Sequence, residues 1–229
     1  MSIFSSCKDN CDAKINPSRR VALEKLCNDS LCGRGLTYRW SLYKTSVLNQ
    51  SHWVPDQALQ DKIRTRLTSP RLVTRPGVLE PNAMYKFVLT AQRRGGHPGN
   101  SEYQVTTNSP PTGGKCEARP LSGITLQTTF SFTCSGWEDP DRPLQFEFIY
   151  FTTEDGVLNV VYKGIKSRVE TKLTAGTKAN NFTIDFRVRV DDMFGAYTEV
   201  KIPVQVGRIK FVKSLSGGLA SDIDRKSVV

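Results

Sequence analysis

Six cysteines are the residues of this sequence whose chemistry is most specific, and they occur in two clusters. They are Cys7, Cys11, Cys27, Cys32, Cys116 and Cys134. Paired thiolates can hold a tetrahedral zinc ion, or they can oxidise to disulfides in a secreted chain. The first four cysteines are spaced more widely than zinc pairs usually are, which favours disulfides. Four cysteines allow three connectivities; we expect bonds that cross between the first two pairs, and a further bond between Cys116 and Cys134.

Carboxylates in two loops of the second half form another group suited to chemistry. The candidates are Glu138, Asp139 and Asp141 in one loop, and Asp191 and Asp192 in the other. In an immunoglobulin-like sandwich these two loops lie at the same end. Clustered carboxylates repel each other unless they are solvated or neutralised, and calcium prefers several oxygen ligands. The five residues are therefore candidate calcium ligands; the alternative is that these aspartates only bond the backbone of their turns.

An enzymatic activity is not expected. The two histidines, His52 and His97, lie in loop-like contexts without a neighbouring nucleophile and orienting acid. The sequence also has no phosphate loop and no dinucleotide fingerprint. Apart from the candidate calcium, we expect no cofactor.

The positive charge is concentrated in the first half. The chain has a net charge of +10, and residues 1–108 hold 16 basic and 8 acidic residues. A basic surface can attract sulfated glycans, anionic lipid or nucleic acid, or it can simply be solvated. Of these ligands we expect no nucleic acid. The candidate polyanion-binding residues are Arg64, Arg66, Arg71, Arg75, Arg93 and Arg94.

The elements that carry the acidic loops are strands. Apolar residues alternate with polar ones over 130–134, 144–150 and 182–190, which gives each strand one face to bury. A linker at 107–115 contains two prolines and two glycines. We therefore predict an all-β chain of two tandem β-sandwich domains, residues 1–108 and 109–207. The remaining residues, 208–229, show no sustained pattern and are expected to be a disordered tail.

The first half gives weaker signals. Residues 1–19 are predicted to be irregular and 21–27 to form a strand, and a short helix is an option near 56–64. Trp40 is expected in a core, and Trp53 is more consistent with a buried loop anchor than with a ligand platform. Tyr85 follows Leu79 and Pro81 in a pattern that resembles the tyrosine corner of fibronectin type III domains.

The cellular compartment is indicated by cysteines and glycosylation sequons together. Asn28, Asn49 and Asn181 each begin an acceptor sequon, and disulfides belong to oxidising compartments. The first residues lack the pattern of a signal peptide, and no apolar run approaches the roughly 20 residues of a membrane helix. The chain is therefore expected to be an extracellular piece of a longer protein rather than a cytosolic one.

Several motifs of the second half resemble the receptor-for-egg-jelly (REJ) module of polycystin-type membrane proteins. The resemblance lies in Asn108-Ser-Pro-Pro-Thr-Gly-Gly-Lys-Cys116, in Phe132-Thr-Cys-Ser-Gly-Trp137, and in the motif Val188–Ala196 near the end of the second domain. It implies tandem fibronectin-like or PKD-like β-sandwiches on the extracellular face of a plasma or ciliary membrane. It also implies adjacent ectodomain modules as neighbours, and membrane attachment through the parent chain alone.

The function that this resemblance implies is non-enzymatic. The chain is expected to be a structural, spacing and force-bearing module of a polycystin-like receptor or channel-associated protein, with an extracellular protein or glycan as a further ligand. The alternative is a secreted adhesion or glycan-binding protein with no channel attached.

Overall fold

The structure, a computed structural model, describes residues 3–27, 35–46, 49–151 and 156–209. Strands make up most of it. The first seven are β1 (Ile3–Asp9), β2 (Ala22–Cys27), β3 (Leu36–Ser46), β4 (Asn49–Pro55), β5 (Arg71–Val73), β6 (Ala83–Arg93) and β7 (Gly99–Thr106). The other eight are β8 (Lys115–Arg119), β9 (Ser122–Ile124), β10 (Thr129–Ser135), β11 (Gln145–Phe151), β12 (Leu158–Gly164), β13 (Arg168–Lys172), β14 (Thr183–Asp191) and β15 (Tyr197–Gly207).

The strands form two sandwiches that follow one another along the chain. In the first, which we call the N-terminal sandwich, one sheet has the order β1-β2-β5 and the other β4-β3-β6-β7. In the second, the C-terminal sandwich, the sheets have the orders β13-β10-β8 and β12-β11-β14-β15-β9. All neighbouring strands are antiparallel except β15 and β9. The fold is therefore all-β, as predicted.

The core of the N-terminal sandwich is built on the alternation of β6. Tyr85, Phe87, Leu89 and Ala91 are completely buried, while the residues between them are partly exposed. Because side chains two apart share a face of a strand, this period of two directs every second residue into the core. Burial of each large side chain contributes about 1.5–3 kcal/mol.

The predicted tyrosine corner is confirmed. The Tyr85 hydroxyl accepts a hydrogen bond of 2.9 Å from the backbone N–H of Glu80. Burial raises the pKa of this hydroxyl, which therefore stays protonated. The bond fixes the turn that leads into β6 and so sets where this central strand begins.

The C-terminal sandwich has the same construction with a more aromatic core. Ile184, Phe186, Val188 and Val190 of β14 are buried on one face, as the sequence predicts. The ring of Phe186 stacks on that of Phe132 in β10, which belongs to the opposite sheet, with centroids 3.6 Å apart. This contact joins the two layers at the centre of the core.

Both disulfides that the structure describes lie within the clusters seen in the sequence. Cys116 and Cys134 are bonded across the neighbouring strands β8 and β10, as expected. Cys7 is bonded to Cys11, so the expected bonds from these two residues to the second pair are wrong. Asn10 has a φ of 59° and turns the chain back, which leaves the Cα atoms of Cys7 and Cys11 5.7 Å apart. The side chain of Cys27 and all of Cys32 lie outside the described residues.

Two other local predictions have different outcomes. A strand, β1, occupies part of the segment that the sequence predicts to be irregular. The optional short helix is present as the single turn α1 (Leu59–Lys62). The tail predicted at residues 208–229 lies outside the described part from residue 210 onwards.

Candidate cation site between the two sandwiches

The linker between β7 and β8 is fastened to both sandwiches. On the N-terminal side, the backbone N–H of Asn108 donates to the carbonyl of Ile15 at 2.8 Å. On the C-terminal side, Thr112 and Glu138 exchange two backbone hydrogen bonds of 3.0 Å. The Cα of Gly114 then packs against the indole face of Trp137, where a Cβ atom would overlap the ring. The linker therefore follows a fixed path from one sandwich to the other.

Three aspartates meet where this linker enters the C-terminal sandwich. Asp139 and Asp141 lie in the loop that follows β10, and Asp192 lies in the loop that follows β14. Each contributes a carboxylate oxygen to a group in which all these oxygens are within 4.8 Å of one another. Asp139 and Asp192 are 9% and 3% exposed, so this is a buried acidic cluster. The prediction that the two loops bring their carboxylates together holds for these three residues.

The two acidic loops are shaped by their own aspartates. Asp139 accepts a hydrogen bond of 2.7 Å from the backbone N–H of Asp141. Asp192 Oδ1 accepts from the N–H groups of Phe194 and Ala196 at 2.8 and 3.0 Å. These contacts are the turn-stabilising role expected of aspartate, and they also hold the carboxylates in place. Each aspartate still has an oxygen that these turn bonds do not use.

A lysine of the N-terminal sandwich carries a positive charge into the acidic cluster. Lys14 Nζ lies 2.7 Å from Asp141 Oδ1 and 2.6 Å from Asp141 Oδ2. The side chain of Asp141 is 12% exposed and that of Lys14 is 31% exposed, so the pair is partly shielded from water. The ion pair joins residues that are 127 positions apart and belong to different sandwiches.

Two buried asparagines complete the contact. Asn108 Nδ2 donates to Asp192 Oδ2 at 2.6 Å and to Asn16 Oδ1 at 3.3 Å. Asn16 Nδ2 donates in turn to the carbonyl of Phe194 at 2.6 Å. Asn108 is 1% exposed, and its Oδ1 has no hydrogen-bond partner in the described part of the chain. We call these two asparagines, with Lys14 and the three aspartates, the junction.

Burial affects the ionisation of Asp139. Desolvation is the main cause that raises the pKa of its carboxyl, and the charges of Asp192 and Asp141 raise it further. The backbone N–H of Asp141 and the ammonium of Lys14 act in the opposite direction. The junction therefore holds more negative charge than its own positive group neutralises, which is an environment that favours a bound cation.

The other two predicted carboxylates are not part of this cluster. Glu138 is exposed, and its backbone pairs with the linker. Asp191 lies on β14 and forms an ion pair of 2.5 Å with Arg189, while burial raises the pKa of its carboxyl. The carboxylate of Asp191 is thus paired with Arg189 and not with the three clustered aspartates. No feature of the sequence marks Lys14 as part of the site. Asn108 lies in the linker, where a polar residue that becomes buried could have been suspected.

Asp139 also lines a cleft of about 560 Å³ between the sandwiches. Asn82 of the N-terminal sandwich forms one part of its wall, and Glu138 and Arg142 form another. Of the three clustered aspartates, Asp139 is the one that lines this cleft. Three carboxylates with further oxygen donors nearby are ligands suited to a hard cation such as calcium.

The predicted polyanion-binding arginines are all exposed, but they belong to different elements. Four of them lie in or near β5, namely Arg64, Arg66, Arg71 and Arg75. The other two, Arg93 and Arg94, lie at the turn between β6 and β7. Arg71 forms an ion pair of 3.4 Å with Glu24, and Arg75 Nε donates to the carbonyl of Ile63. Binding of a polyanion stays a prediction.

The predicted glycosylation sites and Trp53 also have defined positions where they are described. Asn181 is exposed in a left-handed turn before β14, so its side chain is accessible for modification. Asn28 and the side chain of Asn49 lie outside the described residues. Trp53 is half-buried on β4, where the ammonium of Lys86 lies 4.9 Å from a ring centroid, so it is a strand residue rather than a loop anchor.

The described residues include no helix with the length and hydropathy that a membrane crossing requires.

Comparison with known proteins gives one family over nearly the whole chain. A model of the REJ domain matches residues 2–224. Human polycystin-1 is 31% identical over 204 residues, which are 83% of this chain and 4% of that protein. The mouse polycystin family receptor for egg jelly is 26% identical over 216 residues, 88% of this chain and 10% of that protein. The chain thus spans a small fraction of the length of both relatives.

Two solved structures align with most of the chain. The FN1–FN3 domains of chicken CNTN1 align with a TM-score of 0.36 and 12% identity, over 83% of this chain and 64% of that one. Domains A168–A170 of titin align with a TM-score of 0.34 and 13% identity, over 82% and 59%.

Proposed function

The chain belongs to the REJ domain family, and we propose that it is a non-enzymatic structural module in the extracellular region of a polycystin-like membrane protein. Its role in this proposal is to hold neighbouring modules at a fixed spacing and orientation and to bear force between them. Protein or glycan ligands would bind to a surface presented in that way.

The junction is the observation that carries this proposal. A flexible linker would leave two sandwiches free to rotate, because contacts between neighbouring modules are by default weak enough to permit motion. Here the linker is hydrogen-bonded on both sides, and Asn108 and Lys14 reach the acidic loops at 2.6 Å. Contacts of this kind favour one orientation of the two sandwiches and thus suit a spacer.

A distance measurement tests the proposed rigidity. Spin labels on unnatural amino acids at Gln104 and Lys172, which are exposed on β7 and β13, report the separation of the two sandwiches. We expect a single narrow distance distribution by pulsed electron resonance in physiological salt. A broad distribution typical of a flexible tether would refute the spacer role.

Modification tests the proposed extracellular location. Asn181 is exposed, and an oligosaccharide can be attached to a sequon only within the secretory pathway. The parent protein expressed in animal cells should lose mass on glycosidase treatment, and Asn181→Gln should remove one glycan from this region. An unmodified Asn181 in cell-surface protein would remove this support.

Calcium binding at the junction is a second proposed function. The three clustered aspartates favour it. Asn108, whose amide nitrogen donates to Asp192 and whose Oδ1 has no partner in the described part of the chain, offers a further oxygen ligand after rotation of its amide group. In this arrangement the aspartates and Asn108 supply oxygen ligands, and the ion ties the linker to the C-terminal sandwich. We expect an affinity of about millimolar, the range of extracellular modules.

Calorimetric titration of the two-sandwich chain with calcium tests this binding. Asp139→Asn should abolish the heat of binding, because it removes one of three charged ligands. Asp12→Asn is the matched control: that aspartate is exposed and lies outside the cluster, and its replacement should change nothing. Absence of heat from the folded parent chain at about 10 mM calcium, well above the expected range, would end the proposal.

The alternative of a glycan-binding protein is favoured by the exposure of all six candidate arginines. Weak attraction between surface charges is screened over about 8 Å at physiological salt. Retention on immobilised heparin at that salt, lost when Arg93 and Arg94 are changed to serine, would support this function. Elution at much lower salt would indicate a solvated basic surface.

A further inference from the structure

We infer that Lys14 is a tethered cation that occupies the junction in place of a metal ion, so that calcium and this lysine compete for the acidic cluster. The inference deepens the proposed calcium site, on which it rests, by naming what regulates it. The side chain of Lys14 would hold the two sandwiches in one orientation when calcium is absent. The same side chain would weaken the binding of calcium.

The position of the ammonium is the first argument. Lys14 Nζ lies at 2.6 and 2.7 Å from the two oxygens of Asp141, so it occupies the position from which a metal ion would bind both oxygens. A divalent ion bound by both oxygens of Asp141 would have to displace it. The side chain of Lys14 is 31% exposed, which leaves it a route into solvent.

The charges of the cluster give the second argument. Three carboxylates face one ammonium within this group, in which oxygens of the three aspartates lie within 4.8 Å of one another. Lys14 therefore neutralises only part of the charge. A divalent ion in its place would neutralise more of it.

The third argument is that Lys14 joins the two sandwiches, whereas the aspartates do not. All three aspartates belong to loops of the C-terminal sandwich. Lys14 lies next to Ile15, which is in the core of the N-terminal sandwich and is hydrogen-bonded to the linker. Without calcium, the ion pair thus restrains one sandwich against the other.

Replacement of Lys14 by methionine tests the inference directly. Methionine keeps the length and apolar stem of the side chain but removes its charge. In a chelator, we expect the distance distribution between labels at Gln104 and Lys172 to become at least twofold broader. Saturating calcium should restore the parental width, and the calcium affinity should rise at least tenfold above that of the parent chain.

Control variants show whether an observed effect comes from loss of the Lys14 charge, from a failure to fold, or from failure of the functions proposed above. Lys8→Met removes an exposed lysine of β1 and should behave as the parent chain. Lys14→Arg keeps the charge and should keep the narrow distance distribution in chelator. Lys14→Gln also removes the charge, and it replaces the methionine variant in the test if methionine disturbs folding. A broad distance distribution in the parent chain would contradict the proposed spacer role, but it would not contradict competition between Lys14 and calcium.

Two results would overturn the inference. One is a charge-removing variant that remains as narrow as the parent chain in chelator. The other is a calcium affinity that does not change when the ammonium is removed, including the case in which neither chain binds calcium.

Discussion

The interiors of the two sandwiches and the junction between them are held together by different forces. In each interior, aromatic and aliphatic side chains are excluded from water, as Phe186 and Phe132 are in the C-terminal core. In the junction, amides, carboxylates and an ammonium make directed contacts at 2.6–3.3 Å. Apolar burial does not depend on the screening of charges or on a bound ion, whereas charged contacts respond to both. Apolar packing therefore determines the stability of each sandwich, whereas the charged contacts of the junction determine how the two sandwiches are oriented.

The largest effect is expected from a cavity in an interior. Phe186→Ala should lower the free energy of unfolding of the C-terminal sandwich by about 3–5 kcal/mol, because it removes a completely buried ring and leaves a void. Denaturant unfolding followed by tryptophan fluorescence measures this change. Leu121→Ala, at a position that is 62% exposed, is the control and should change stability little. A small loss for Phe186→Ala would contradict the view that apolar packing carries this module.

A smaller loss of stability with a larger change of geometry is expected at the junction. Asn108→Ala removes the amide that donates to Asp192 and should cost about 1–3 kcal/mol. It should also broaden the distance distribution between the sandwiches, which Phe186→Ala should not do below its unfolding transition. Asn100→Ala, at an exposed position of β7, is the matched control. The comparison fails if Asn108→Ala leaves the distance distribution unchanged.

A single polar contact at the edge of an interior should matter less. Tyr85→Phe removes the hydroxyl that accepts from Glu80 and should cost about 1 kcal/mol, while the ring stays buried. Equilibrium unfolding of the N-terminal sandwich measures it, with Tyr103→Phe as the control. A loss near that of a core cavity would mean that the corner, rather than the packing, holds this sandwich.

The smallest effect is expected to have the opposite sign. Burial raises the folded-state pKa of Asp139 above 3.8, so its ionised form destabilises the fold at neutral pH. Asp139→Asn should therefore stabilise the chain slightly in chelator. As the pH falls through the raised pKa towards 3.8, Asp139 becomes protonated and no longer destabilises the fold. The stability gained by Asp139→Asn should therefore decrease over this pH range. Thermal unfolding from pH 7 to about 4 checks the sign.

The interiors could be predicted from the sequence because their signal is local. Alternation over a few residues is enough to place Phe182–Val190 on a strand and to choose its buried face, and Tyr85 is marked by its neighbours. Strand β1 lacks this signal, because its apolar residues Ile3 and Phe4 are adjacent and most of the following residues are polar. Phe4 is 52% exposed on this edge strand.

The junction could be predicted only in part, since its contacts join distant parts of the chain. The aspartates were found because each marks its own turn. Lys14 was not found, because its partner Asp141 lies 127 residues away and nothing near Lys14 indicates which surface it will meet. The bond from Cys7 to Cys11 depends on the turn at Asn10, which the spacing of the cysteines does not reveal.

The close approach of Gly114 to the indole of Trp137 limits how this linker can vary among related sequences. A methyl group at that position would occupy the same space as the ring, so even alanine would lift the chain away from the sheet or expel the tryptophan. The path of the linker between the two modules thus depends on a residue that has no side chain, and replacement of Gly114 would disturb both this path and the edge of the C-terminal core.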